Sequence, residues 1–227
     1  MKKNMLKNGL TLALFAVITT GLIALTYLGT KQQIAQQQQQ KLLAILNAVI
    51  ARGTYTNDIQ HDCSIVRSAD YLGSDEEKHI YRARHNTQPV AVAIETTAPD
   101  GYSGKIQLVV GVAGDGIVTG VRVLEHKETP GLGDKIDLRI SDWILSFNDV
   151  SLNQDNSSRW SVKKDGGRFD QFTGATITPR AVVKAVKRAV EYYQANQTAI
   201  FAAENACKMI VQNNTSANQA QQGQVSE

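Results

Sequence analysis

Residues 168–186 read RFDQFTGATITPRAVVKAV. Three threonines, Thr173, Thr176 and Thr178, surround Gly174 and Ala175 and lead into Pro179 and a run of helix formers. The stretch has no His, Cys or Ser, and its one carboxylate is Asp170. A nucleophile paired with a base is therefore not written into it. Pro179 suits the first position of a helix and Thr178 its N-cap. Thr173 to Ile177 then form the loop entering that helix, with Gly174 free to bring backbone close or to take a positive φ. The free amides and dipole of a helix start favour an anion, phosphate above all. A threonine hydroxyl placed there can accept a phosphate or hold one covalently. Spacing alone leaves two readings open: a capped helix with nothing bound, which is the commoner arrangement, and a phosphate seat.

Little else in the chain offers chemistry. His61, His79, His85 and His126 show no HExxH-like spacing, and Cys63 and Cys207 lie far apart with no CxxC. No metal site and no catalytic residue is expected. The net charge is +3 and part of it sits at Lys2, Lys3 and Lys7, with no basic stripe interleaved with aromatics. Nucleic-acid binding is not expected.

Hydroxyls at a helix start need a scaffold, and 227 residues with 42% hydrophobic and 20% charged content suit one domain plus attachments. No charge occurs between Lys7 and Lys31. Residues 9–30 are long enough, at about 1.5 Å per residue, to cross a hydrocarbon core of roughly 30 Å. The run ends in LTYLGTKQQ, with Tyr27 at an interfacial position and no A-x-A cleavage site, which favours an uncleaved anchor over a signal peptide. Three lysines precede the run. The positive-inside rule then places residues 1–8 in the cytoplasm and everything after Lys31 across the membrane. In a bacterium that means an inner-membrane anchor and a periplasmic domain. In an oxidising compartment Cys63 and Cys207 either pair or remain two separate buried thiols, with the disulfide slightly favoured.

Residues 31–53 read as a helical stalk, with Leu42, Ile45, Leu46, Val49 and Ile50 spaced three and four apart and Gly53 as the stop. Residues 54–211 read as one soluble domain. HIYRAR and PVAVAIET alternate like strands, and Asp115-Gly116 joins KIQLVVGVA to IVTGVRVLE as a hairpin. LRISDWILSFNDV predicts a short helix. From Pro179 a long amphipathic helix buries Val182, Val183, Val186, Ala189, Val190 and Tyr193. Residues 212–227 are polar and expected to be disordered. The fold class is α+β: a transmembrane helix, then one domain with an antiparallel sheet and packed helices.

DQFTGATIT, Asp170 to Thr178, resembles the flavinylation motif of the FMN-binding domain family, Asp-x-x-(Ser/Thr)-Gly-Ala-Thr followed by Ser/Thr. HKETPGLGDK, His126 to Lys135, is similar to the family's Glu-Thr-Pro-Gly-Leu-Gly segment, and GYSGKI, Gly101 to Ile106, is a weaker match. The resemblance runs in order from about Ala91 to Val190. It implies covalent FMN, joined through its phosphate to Thr176, with Thr173, Gly174, Ala175 and Thr178 completing the motif. It also makes Glu128, Thr129, Gly131, Leu132 and His126 candidates to line the flavin. Tyr102 and Trp143 are weaker candidates to stack beside the ring, and Lys184 and Lys187 weaker still to aid the phosphate.

With its anchor, the chain is similar in plan to flavin-carrying subunits of Rnf-type ion-translocating complexes of the ferredoxin:NAD kind. That resemblance implies electron relay without turnover of a substrate by this chain alone. Its partners would be other membrane and redox subunits of such a complex, and a flavin transferase for maturation. A subunit of a sodium-pumping NADH:quinone oxidoreductase and a non-redox anchored assembly module are the alternatives. No GxGxxG supports a free flavin reductase.

Overall fold

The structure is a computed structural model and describes residues 2–207. The expected tail, 212–227, lies outside the described residues. Two compact units divide the chain, residues 1–43 and 44–227.

The first unit belongs to helix α1, Lys2–Val49, which is 48 residues long. It contains a window of mean hydropathy 2.0 with no part buried, long and apolar enough to cross a membrane. Four of the threonine hydroxyls along it, those of Thr11, Thr19, Thr26 and Thr30, are paired with backbone carbonyls of the helix itself. Thr11 donates to the Lys7 carbonyl at 2.8 Å, Thr26 to Leu22 at 3.0 Å and Thr30 to Thr26 at 2.8 Å. Each is satisfied one turn back, as an apolar surrounding demands.

The second unit is built on six strands: β1 Cys63–Ser68, β2 Ser74–His85, β3 Gln88–Gly101, β4 Gly104–Ala113, β5 Ile117–Glu125 and β6 Val150–Ser151. They lie side by side in sequence order, each antiparallel to the next. The β2–β3 turn is Asn86-Thr87, both at positive φ, 45° and 75°, which matches the twist of a tight hairpin. A short helix α2, Ala69–Leu72, bridges β1 and β2, and helix α3, Ile177–Ala202, closes the described domain.

Period decides burial on both sides of the core. Along β3 and β4, Val92, Ile94, Ile106, Leu108, Val110 and Val112 are fully buried. They join one cluster with the stripe expected of α3, Val182, Val183, Val186, Ala189, Val190 and Tyr193. Elsewhere in the sheet, Gly111 of β4 pairs with Gly120 of β5. A Cβ on Gly111 would lie 2.3 Å from the Val49 carbonyl oxygen, and one on Gly120 3.0 Å from the Val49 Cα. Two glycines in register thus admit the backbone at the end of α1, and Thr119 Oγ1 donates to the same Val49 carbonyl at 2.5 Å. α1 stops at Val49, short of the expected Gly53, and its last residue is docked on the sheet.

The far end of α3 is tied down by charge and by sulfur. Arg82, 2% exposed, donates from Nη1 to the carbonyls of Ile200 at 3.1 Å and Ala203 at 2.6 Å, and from Nε to Asp62 at 2.6 Å. Arg84 bonds Asp62 and the Phe201 carbonyl. These arginines satisfy carbonyls that a helix end leaves open. Cys63 and Cys207 are joined by a disulfide with Cα atoms 5.3 Å apart.

The start of α3 differs from the sequence expectation. The helix begins at Ile177, with Thr176 in the N-cap position at φ −83° and no capping bond from its side chain. Thr178 and Pro179 lie inside the first turn and are buried. Thr178 is not the cap because its hydroxyl is taken by Glu128. The stretch LRISDWILSFNDV forms a 3-10 helix at Asp142–Phe147, with Ile144 and Phe147 buried.

Candidate functional site

Three segments meet around a cavity of about 320 Å³. Tyr102 comes from the β3–β4 turn, Glu128, Thr129, Leu132 and Gly133 from the loop after β5, and Gly174 to Thr178 from the start of α3. Strand register sets their approach. The β3–β4 turn closes on the pair Gly101 and Gly104, and a Cβ on Gly101 would lie 2.4 Å from the Gly104 carbonyl oxygen. A Cβ on Gly133 would lie 2.7 Å from Glu128 Oε2 and 2.8 Å from Thr178 Oγ1. The loop reaches the helix only because this position is glycine.

Glu128 ties the three segments together. It is 5% exposed. The backbone N–H of Ser103, in the β3–β4 turn, donates to its Oε1 at 3.0 Å. The Thr178 hydroxyl, in α3, donates to its Oε2. The Glu128 N–H itself donates to His126 Nδ1 at 3.1 Å. That nitrogen is therefore an acceptor and the neutral ring carries its proton on Nε2, which lies 3.9 Å from Asp137 Oδ2. The Arg139 guanidinium beside Asp137 holds its carboxyl below the usual carboxylate range.

Thr176 faces a different situation. It lines the cavity, is half-buried, and caps nothing. The mouth beside it is apolar and aromatic: Tyr102 is 69% exposed, Leu132 42% and Ile177 47%. Free amides at a helix start, a hydroxyl committed to no cap and a mouth of flat apolar surface suit a group with an anionic tail and a planar ring. FMN has that shape, and the residues present fit it.

Of the residues singled out from sequence, Thr176, Gly174, Ala175, Thr178, Glu128, Thr129 and Leu132 stand in the cavity wall, and Tyr102 joins them. Thr173 is exposed and outside it, and Gly131 forms a turn at φ 77°. His126 stands behind the wall, bonded to Glu128. Trp143 is elsewhere: it packs edge-on against Phe147 and Phe172, and its Nε1 donates to the Asp170 carbonyl at 2.8 Å. Lys184 pairs with Asp100 at 2.9 Å, and Lys187 donates to the Ser157 carbonyl at 3.0 Å. Gly133, Ile177 and Ser103 carry no expectation from sequence. Each adjoins a motif residue, which is the signal that points toward them.

Comparison with known proteins agrees with this geometry. Residues 101–191 match the FMN-binding domain family and residues 1–49 match the RnfG N-terminal region. The first match spans the β3–β4 turn, the Glu128 loop and the start of α3, so it contains the whole cavity wall. A protein of Pseudoalteromonas atlantica, named as the G component of an ion-translocating oxidoreductase complex, is 65% identical, over 92% of this chain and 97% of its own. Proteins of the same name from Vibrio cholerae and Shewanella amazonensis are 56% and 52% identical, over 89% and 88% of this chain. Similarity of this degree, along nearly the full length of both partners and through every segment of the cavity, means that the chain belongs to the RnfG family of ion-translocating oxidoreductase complex components.

Proposed function

We propose that the chain is a membrane-anchored flavoprotein subunit that relays electrons through FMN held as a phosphoester on Thr176. One observation carries this reading: of the threonines in the cavity wall at the helix start, Thr178 has its hydroxyl committed to Glu128, whereas Thr176 is uncapped and borders the cavity. The RnfG-type relatives and the FMN-binding match support the same assignment.

When bound, the flavin supplies one-electron chemistry. The chain's own residues hold and orient it. The amides opening α3 would take the phosphate, where the helix dipole favours an anion. Tyr102, Leu132 and Ile177, exposed in the cavity wall, would pack against the ring and limit the water beside it. A phosphoester bond holds the cofactor by its tail and leaves the ring unmodified. Electron relay needs no general base, nucleophile or leaving group, which accounts for a motif rich in hydroxyls and poor in titratable groups.

In the same reading residues 9–30 of α1 span the inner membrane, residues 1–8 stay cytoplasmic and the sheet domain is periplasmic. Its partners are the other membrane and redox subunits of the complex, and a flavin transferase forms the phosphoester. The full chain is to be co-expressed with that transferase and separated on a denaturing gel. Flavin fluorescence should follow the wild-type band and vanish in Thr176→Val; fluorescence persisting in that variant sinks the assignment.

A further inference from the structure

Glu128 sits in the cavity wall with very little exposure, yet no step of electron relay requires a carboxylate. Its surroundings are particular. Both oxygens accept, one from the Ser103 N–H and one from the Thr178 hydroxyl. Both donors are neutral dipoles. They hold the carboxylate oxygens without placing a positive charge against them as a cation would. Gly133 and Gly101 are the close neighbours on either side, where a Cβ would fall 2.7 Å and 3.0 Å from its oxygens. The group is thus fixed in place and short of bulk water, where a charge acts over longer range than in solvent.

We propose that Glu128 is a positioning and potential-setting residue: a fixed negative charge in the wall of the flavin cavity that lowers the reduction potential of the bound FMN. The inference rests on the FMN reading given above. Each electron delivered to the flavin adds negative charge beside Glu128, and like charges held close in a poorly screened site repel. The carboxylate therefore disfavours the reduced flavin and makes it a stronger donor to the next centre.

The test uses the full chain, produced with its flavin transferase and purified in detergent, as wild type and as Glu128→Gln. Glutamine fills the same volume. Its Oε1 can accept from Ser103 and its Nε2 can donate to Thr178 Oγ1, so the wall stays tied together while the charge is lost. Intact mass reads the flavin load, an electrode with mediators supplies the titrating electrons, and a thermal melt reads the fold. The expected result is full flavin load, little change in melting, and a flavin easier to reduce by about tenfold per electron, which is about 59 mV. A loaded variant with the wild-type potential overturns the proposal and leaves the FMN reading standing. A folded variant that takes up no flavin also overturns it, because the carboxylate then serves attachment rather than potential. Wild-type protein without flavin overturns the FMN reading itself, and this inference with it.

Discussion

The hydroxyl of Thr178 donates to the carboxylate of Glu128 across 50 residues of sequence, and that contact locks the first turn of α3 to the loop after β5. Both partners are buried, Thr178 at 0% and Glu128 at 5% exposure. Removing the Thr178 hydroxyl leaves Glu128 Oε2 without its donor and away from water, although Oε1 keeps the Ser103 N–H. Thr178→Val should lower stability by about 1–3 kcal/mol, read as a drop in melting temperature of the full chain in detergent. Thr178→Ser, which keeps the hydroxyl, should recover most of that loss. Equal melting of Val and Ser variants would show that the contact contributes nothing.

The docking of the end of α1 depends on absent side chains. Gly111→Ala places a Cβ 2.3 Å from the Val49 carbonyl oxygen and 2.5 Å from Thr119 Oγ1, so backbone must shift. Overpacking of this kind costs about 1–3 kcal/mol. Hydrogen exchange should rise at the Ile50 amide, which bonds the Leu46 carbonyl at 2.9 Å. Gly9→Ala serves as the control, since nothing lies within 4 Å of its Cβ position and alanine favours helix.

His79 and Glu95 form a cross-strand pair whose contribution depends on pH. His79 Nδ1 and Glu95 Oε2 are 3.0 Å apart. The hydrogen bond to Glu95 raises the His79 pKa above 6.5, against the opposing effect of burial. Burial pushes the Glu95 carboxyl up, but the hydrogen bonds from His79 outweigh it and bring its pKa below 4.5. A raised histidine contributes fully below its unfolded value and loses that contribution as pH rises through its folded value. A lowered carboxyl contributes above its unfolded value and loses that contribution as pH falls through its folded value. The pair is thus at full strength between about pH 4.5 and 6.5. Glu95→Gln should depress the melting temperature more at pH 6 than at pH 9; the same depression at both would rule out ionic coupling.

The Cys63–Cys207 disulfide closes a sequence separation of 144 residues and ties β1 to the segment after α3. Loss of a bridge of this kind typically costs about 2–5 kcal/mol. A reducing agent should lower the melting temperature of the wild type and leave Cys63→Ser unchanged. A melt insensitive to reductant in both would mean that the Arg82 and Arg84 contacts suffice at that end of α3.

Much of the frame was legible in the sequence by itself. The uncharged run before Lys31, the Asp115-Gly116 hairpin and the valine stripe of α3 all appear where their spacing places them. These features are local: helix and strand periods and turn chemistry are settled by residues a few positions apart. The three-block resemblance, in order along the chain, points to the loop and helix start that form the cavity. Tertiary structure decided what each hydroxyl does. Capping rules assign Thr178 to the helix start, but Glu128 takes its hydroxyl and leaves Thr176 at the head of α3. Trp143 is by type more often a core residue than a ring-stacking one, and it packs among Phe147 and Phe172. The glycine pair under Val49 and the three-way anchoring of Glu128 have no local signature. They arise where strand register brings together groups far apart in the chain. A buried carboxylate must take whichever donors that register supplies, because it has no water to turn to.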